Sequence, residues 1–237
     1  MNKKKVAIVA GTEKYGAHTI GNAIREALSF KYDVITVGRY GGDIEVEISR
    51  GNYLKLLDAI VDKLDGRHVA LLVNSMATNE DDLLIEENLF PYTILYDVLT
   101  DNGLFGNNIV GFQESTEPKA HSVINIGGLS AYMVGRGKRN HTILKAAIDG
   151  FTKSIAAQGV RCNTISPDRV MAHYEITEGS EKEFVENYPK ASAWNPLGKV
   201  LMAKDVAEVV VMVDNCAAIN GQNILVDYGH SIVQKEF

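Results

Sequence analysis

Short apolar runs alternate along the chain with longer segments in which apolar residues recur every three or four positions. The runs Val6–Ala10, Val34–Val37, His68–Val73, Ser122–Ile126, Arg161–Ile165 and Asn223–Val226 are predicted strands. None alternates strictly between apolar and polar residues, the pattern expected of strands covered on both faces. Between them, Tyr53–Leu64 reads as a helix with Leu54, Leu57, Ile60, Val61 and Leu64 on its apolar face. His141–Ala157 reads likewise with Leu144, Ala147, Ile148, Phe151 and Ile155, and Asp205–Val213 is a third helix. Repeated strand–helix units predict an α/β fold with a doubly wound parallel sheet. No internal repeat, low-complexity tract or linker interrupts the pattern. The polar segment Glu175–Leu197, rich in Glu, Tyr and Pro, reads as a lid-like insertion.

The chain has 237 residues, 46% of them apolar, which is enough to bury a full core as one domain spanning 1–237. The net charge of -6 argues against a nucleic-acid surface. Cys162 and Cys216 are the two cysteines and lie far apart in sequence, so a reducing compartment, the cytoplasm, is expected. No apolar run approaches the ~20 residues of a membrane span, and no residues are assigned to a metal.

Two glycines carry the first chemical signal. Gly11 follows the first strand and Gly21 opens a helix, within GTEKYGAHTIG. A glycine at each place lets the backbone turn tightly and approach a pyrophosphate, whose charge the helix N-terminus meets. Thr12, Ala17 and His18 lie on this loop and are candidate cofactor contacts with Gly11 and Gly21. Bulky Glu13, Lys14, Tyr15 and His18 on the same loop leave open the alternative of a filled crevice. After the second strand stands Arg39, with no acidic residue until Asp43. An acid there would bind ribose hydroxyls, whereas Arg39 suits a 2′-phosphate, so NADP is preferred to NAD; a solvated arginine is the plainer reading.

The stretch His121–Pro167 resembles the core of a short-chain dehydrogenase/reductase. The strand Val123-Ile124-Asn125-Ile126, Lys145 opening "KAAIDGFTKSIA", and the strand "VRCNTISP" at 160–167 match that family's pattern. The resemblance extends over nearly the whole chain and implies a Rossmann-type sheet in three α/β/α layers. The long glycine loop is similar to that of enoyl-acyl-carrier-protein reductases. The resemblance further implies adenine-side contacts at Glu47 and Ile48, contacts beneath the cofactor at Asn74 and Ser75, and one at Val170 after the sixth strand. It assigns Lys145 to the family's catalytic Lys, which also serves the cofactor ribose, and Asn88 in "EENLF" to its Asn.

Two family residues are replaced. His141 stands four residues before Lys145, where the family has Tyr, and Gly128 stands in place of its Ser. The alternative Tyr position, seven residues before Lys145, holds Lys138. Loss of a general acid costs on the order of 10²–10⁴ in rate, and loss of an oxyanion donor on the order of 10²–10³. A neutral imidazole at His141 is a poor acid, so Tyr132, Tyr174 and Tyr188 are considered as replacements, with packing behind the fifth strand preferred for Tyr132. Gly135-Arg136-Gly137-Lys138-Arg139 either forms a solvated basic loop or receives a phosphate, a carboxylate or an acidic carrier protein. The expectation is an NAD(P)-dependent oxidoreductase using Lys145, Asn88 and His141 on a small-molecule, anionic substrate. The alternative is an inactive pseudoenzyme that senses cofactor or binds a partner. The resemblance also implies a homotetramer or homodimer, with the helix at 140–157 and the segment Asn223–Val233 at the interfaces.

Overall fold

A computed structural model describes residues 4–12, 19–76, 85–105, 121–133, 139–171 and 195–233. Seven strands form one sheet in the order β3-β2-β1-β4-β5-β6-β9, every neighbouring pair parallel. They are β1 (Lys5–Ala10), β2 (Tyr32–Gly38), β3 (Ile44–Glu45), β4 (Val69–Asn74), β5 (Ser122–Ile126), β6 (Arg161–Pro167) and β9 (Asn223–Val226). A separate two-stranded ladder pairs β7 (Val170–Met171) with β8 (Leu201–Met202). The five described helices are α1 (Ile20–Leu28), α2 (Tyr53–Leu64), α3 (Ile85–Asp101), α4 (Arg139–Ala157) and α5 (Ala203–Asn215).

The sheet is buried on both sides, which explains the unbroken apolar runs. Along β1, Val6, Ile8 and Ala10 join a core with α2, α3 and α4 residues such as Leu56, Leu95 and Ile155. Ala7 and Val9 point the other way, into a core with Ile24 and Leu28 of α1 and Val206 and Val210 of α5. The central strands β4 and β5 are covered on both faces, so neither face there selects an alternating polar residue. The chain is thus laid out as helices, sheet and helices in three layers.

The apolar face of α2 is rotated from its sequence reading. Leu56, Ile60 and Leu64, spaced one turn apart, are the buried stripe. Leu54 is 71% and Val61 48% exposed, at the edge of that stripe rather than within it. The sheet edge contacts only a narrow line of this helix, so five apolar positions exceed what one line of contact can cover.

β2 and β3 run parallel although only residues 39–43 connect them. Parallel neighbours normally need a crossover of a dozen residues or more, usually a helix. Here Gly41 (φ 118°) and Gly42 (φ 110°) take backbone conformations that let the chain double back. Asp43 pins the loop: its carboxylate accepts the Thr36 N–H (2.8 Å) and hydroxyl (2.7 Å), and its own N–H donates to Thr36 Oγ1 (2.8 Å). Asp43, the first acid after β2, is therefore spent on the sheet edge, where it satisfies an otherwise open strand N–H.

Candidate active site

The carboxyl ends of β1, β2 and β4 meet at Gly11. Its N–H donates to Val37 O (2.9 Å), and Ser75 N–H donates to Ala10 O (2.9 Å). Gly11 has φ 89°, and a Cβ on it would stand 2.4 Å from Ser75 O. A Cβ on Gly21 would stand 2.4 Å from Gly11 O. The first turn of α1 thus rests directly on the end of β1. Thr19 caps that helix, its Oγ1 accepting the Asn22 N–H at 3.2 Å. Thr12 is buried, and its Oγ1 has no hydrogen-bond partner. A helix N-terminus, two glycines without room for side chains and a buried hydroxyl lacking a partner fit the phosphates of a dinucleotide. Ala17 and His18, with Glu13, Lys14 and Tyr15, lie outside the described residues.

At the end of β2, a Cβ on Gly38 would stand 2.1 Å from Thr12 O, so Thr12 backbone seals this point. Arg39 lies just beyond, its guanidinium 3.5 Å from the Glu47 carboxylate in an exposed pair. Such a pair is weak and exchangeable. Ile48 is buried in the core with Leu56 and Ile60 rather than offered to a ligand.

Asn74 is wholly buried at the end of β4. Its Nδ2 donates to Asn125 Oδ1 (2.9 Å), and Asn125 Nδ2 donates to Thr152 Oγ1 (2.9 Å), which also accepts from Thr164 (2.8 Å). Asn74, Asn125 and Thr164 are register partners on three adjacent strands, and Thr152 reaches them from α4. This polar ladder ties α4, and with it Lys145, to the sheet. The ladder had a partial sequence signal: Asn74 and Asn125 are each an amide that follows an apolar run near the end of its strand. Asn74 Oδ1 remains without a hydrogen-bond partner.

Lys145 projects from α4 with 5% of its surface exposed. Burial alone lowers its pKa from 10.5 to about 8, because the charged form loses hydration. Among the described residues no carboxylate offsets this. A Cβ on Gly128 would lie 3.3 Å from Lys145 Cγ and 3.4 Å from Cε, so the position aligned with the family's Ser does face the Lys145 stem. Gly128 N–H donates to Ser166 Oγ (3.2 Å), linking the end of β5 to the end of β6. His141 lies one turn before Lys145 on α4, at the spacing that shares a helix face. Asn88 is buried in the first turn of α3.

Tyr132 does not pack behind β5. It is 50% exposed on a short turn, and its pKa is raised by burial and then by the Asp149 carboxylate. Asp149 is one turn beyond Lys145 on α4. Tyr174, Tyr188, Lys138 and most of the segment 175–197 lie outside the described residues. A tyrosine not singled out in the sequence sits at the strand ends instead. Tyr92 of α3 is fully buried; its hydroxyl lies 2.6 Å from Met76 O and 3.1 Å from Ile126 O. Burial raises its pKa, so it stays a neutral donor bracing β4 against β5. Val170 is in β7, two residues beyond Asp168, whose carboxylate is 2.8 Å from His230 Nδ1.

A groove of about 800 Å³ lies at the amino ends of β1 and β2, lined by Lys4, Arg25, Tyr32 and Arg67 among others. None of the candidate residues reaches it. No described helix is long and apolar enough to cross a membrane.

Comparison with known proteins agrees with this geometry. Residues 102–231, more than half of the chain, match the family model described as enoyl-(acyl carrier protein) reductase. The 3-oxoacyl-[acyl-carrier-protein] reductase FabG of Vibrio cholerae serotype O1 is 24% identical over 246 residues, covering 95% of this chain and 96% of that protein. Zerumbone synthase of Zingiber zerumbet is 31% identical over 124 residues, 47% of this chain. Xanthoxin dehydrogenase of Arabidopsis thaliana is 30% identical over 132 residues, and the chain spans about half the length of these two relatives, 46% of each. Among solved structures, a short chain dehydrogenase from Bacillus anthracis superposes with TM-score 0.73 at 19% identity, covering 99% of each chain. ElxO with NADP bound superposes with TM-score 0.72 at 16% identity, covering 96% of this chain and 98% of that one. With the parallel 3-2-1-4-5-6-9 strand order, Lys145 on α4 and the matched C-terminal half together, the chain belongs to the short-chain dehydrogenase/reductase family.

Proposed function

We propose that this chain binds NAD(P) across the carboxyl ends of β1, β2 and β4 and acts as an oxidoreductase with an altered proton-transfer centre. The observation that carries the reading is the seat of Gly21 on the Gly11 carbonyl, which sets the N-terminus of α1 against the end of β1, where its N–H groups would meet a pyrophosphate. Gly11, Thr12 and Gly21, with Ala17 and His18 from the same loop, are the proposed phosphate side. Arg39 is proposed to leave Glu47 for a 2′-phosphate, which favours NADP over NAD. Ser75 and Val170 flank the nicotinamide side, Asn74 supports it from below, and Glu47 borders the adenine. Bound nicotinamide would supply or accept the hydride. Lys145 holds a ribose hydroxyl by hydrogen bonding, Asn88 keeps α3 in register beside it, and His141 exchanges a proton at the substrate oxygen. With Gly128 in place, no hydroxyl from that position holds the oxygen.

NAD(P)H titration with a thermal-melt readout tests binding without requiring turnover. Ligand at ~100 times its dissociation constant adds about 2.7 kcal/mol of stability. NADPH is expected to raise the melting temperature more than NADH. No shift with either at millimolar concentration overturns the binding reading, and a larger shift with NADH overturns the NADP preference alone.

Gly128 beside Lys145 also favours a second reading, an inactive relative that binds cofactor as a sensor or partner-binding protein. Cofactor binding with no turnover of any small carbonyl compound decides for it. For either reading we propose one domain over 1–237, a small anionic substrate or ligand met by Arg139 and its loop, a cytoplasmic setting, and a homodimer or homotetramer. The exposed Ile143 of α4 and Ile232 near the C-terminus are the apolar contacts proposed for that assembly.

A further inference from the structure

Asparagine is followed by glycine at two places in the chain, Asn102-Gly103 and Asn220-Gly221. Each glycine has positive φ, 64° at Gly103 and 68° at Gly221. Without a side chain, neither glycine shields its own backbone nitrogen from the carboxamide carbon of the asparagine before it. Both asparagines are exposed, but the fold treats them differently. At Asn220, both reacting groups are held by one residue of β6. Oδ1 accepts the Cys162 N–H (3.0 Å), and the Gly221 N–H donates to Cys162 O (2.8 Å). Cys162 itself is wholly buried. Asn102 stands just past the last turn of α3, and there the Gly103 N–H makes a long bond to Thr100 O (3.2 Å). The Asn102 carboxamide nitrogen donates to Val98 O (2.9 Å) and to the Tyr53 hydroxyl (3.1 Å). A solvent-exposed helix end opens in small local fluctuations, whereas freeing Asn220 requires the chain to part from β6.

We propose that Asn102 is a site of spontaneous modification, at which the Gly103 nitrogen closes on the carboxamide and water completes its conversion to aspartate and isoaspartate. The Gly103 nitrogen gives its proton to solvent and attacks Cγ, and the C=O π pair moves to Oδ1. That pair returns as the bond from Cγ to Nδ2 breaks, and the departing nitrogen takes up a proton and leaves as ammonia. Water then opens the succinimide ring at either carbonyl, its hydroxyl going to carbon and its hydrogen to nitrogen. Asparagine and water therefore yield an aspartyl or isoaspartyl residue and ammonia, with no oxidant or reductant.

The surroundings give the change a consequence. A carboxylate at this position cannot donate to Val98 O and instead faces that carbonyl oxygen. It also adds a negative charge beside Asp101 at the C-terminal end of α3, where the partial charge of the helix is already negative. Asp97, one turn earlier, is crowded in the same way: burial and then the Asp101 carboxylate push its carboxyl above the usual range. The segment that follows is tied to the sheet, since Leu104 O accepts the Val69 N–H of β4 (2.8 Å). Modification therefore weakens the end of α3 and its attachment to the sheet.

The test is isotope-marked ageing. The full-length protein is held at mildly alkaline pH in water enriched in oxygen-18, which marks each carboxylate formed during the incubation. Peptides covering both asparagine–glycine pairs are followed by mass spectrometry, with a second sample kept in urea. In the folded protein Asn102 is expected to convert at least ~10 times faster than Asn220. In urea the two rates should agree within a few-fold, because the fold then protects neither. Asn102→Gln, whose longer side chain closes a ring much less readily, should leave its peptide unmarked. Asn102→Asp, which installs one product directly, should melt several degrees below the unmodified protein. Asn102 converting no faster than Asn220 in the folded sample overturns the proposal. So does a folded sample in which Asn102 stays intact while the urea sample is fully converted. An Asn102→Asp protein that melts with the unmodified one overturns the consequence drawn for α3.

Discussion

Gly128 faces the side chain of Lys145: a Cβ on the glycine would lie 3.3 to 3.5 Å from three carbons of the lysine stem. Contacts of 3.4 Å and above are ordinary, so a side chain fits there once the flexible stem yields a few tenths of an ångström. Gly128 has extended backbone, with φ -179°, and imposes no conformational barrier to substitution.

Gly128→Ser should therefore fold and place a hydroxyl beside Lys145. His141→Tyr should restore a phenol one turn before the lysine. Reduction of generic ketones by NADPH is expected to be slow in the unmodified protein, because proton donor and oxygen-holding hydroxyl are both missing. The double variant is expected to raise kcat/KM by about 10² or more, beyond the product of the single effects, since the two groups act as one site. Initial rates of the four proteins check this. Brisk turnover by the unmodified protein that survives His141→Ala would assign the acid elsewhere.

Lys145 also predicts a pH dependence of stability. Its folded pKa, about 8, lies below the unfolded value of 10.5. Below pH 8 the lysine is charged in both states, and the folded state bears the full cost of burying the ammonium. Between about 8 and 10.5 the unfolded state alone binds the proton, so stability rises with pH across this window. Lys145→Met keeps the stem and removes the charge. It should be more stable than the unmodified protein at pH 7, by on the order of 3 kcal/mol at most, and the advantage should fade by pH 10.5. Urea denaturation of both proteins at pH 7 and pH 10 measures it. Equal stability at pH 7 would show that the buried ammonium is compensated.

Tyr92→Phe removes one oxygen atom from a closed site. The hydroxyl serves the Met76 and Ile126 carbonyls at the ends of β4 and β5, and water does not enter a fully buried position easily. A cost of about 1–3 kcal/mol is expected. Chemical denaturation checks the magnitude, and a change under about 0.5 kcal/mol would mean that the hydroxyl is not a structural brace.

The sheet was legible because burial on both faces leaves its strands apolar without alternation, as along Val6 to Ala10. The direction of α2 was less so. Leu54 and Val61 are apolar residues that the sheet edge does not reach, and periodicity cannot say which line of a helix will be covered. Helix α3 has little amphipathic signal, since it packs against both the sheet and α4 and carries Pro91 within it. The tight β2–β3 connection depends on Asp43 folding back seven residues onto Thr36, a tertiary contact with no periodicity. At the candidate site, Gly128 could be placed beside Lys145 by motif spacing along the chain. Tyr92 could not, because its role comes from α3 crossing the ends of two strands, and nothing near it in sequence marks that crossing.

The contact between Gly21 and Gly11 gives a prediction with its own control. Gly21→Ala puts a methyl 2.4 Å from a backbone oxygen, which cannot move without displacing the end of β1. The first turn of α1 must shift away, opening the seat proposed for the pyrophosphate. A loss of about 1–3 kcal/mol is expected, with the thermal shift by NADPH abolished. Gly150→Ala is the same chemical change on the exposed side of α4, where nothing lies within 4 Å of the added carbon. There the methyl removes only the helix penalty of glycine, so stability should rise by up to about 1 kcal/mol, with cofactor binding unchanged. Denaturation midpoints and NADPH titrations of the two variants belong in one experiment, because opposite signs from one substitution isolate the local contact. If Gly21→Ala keeps both its stability and its NADPH shift, the close seat of α1 on β1 is not what holds the cofactor.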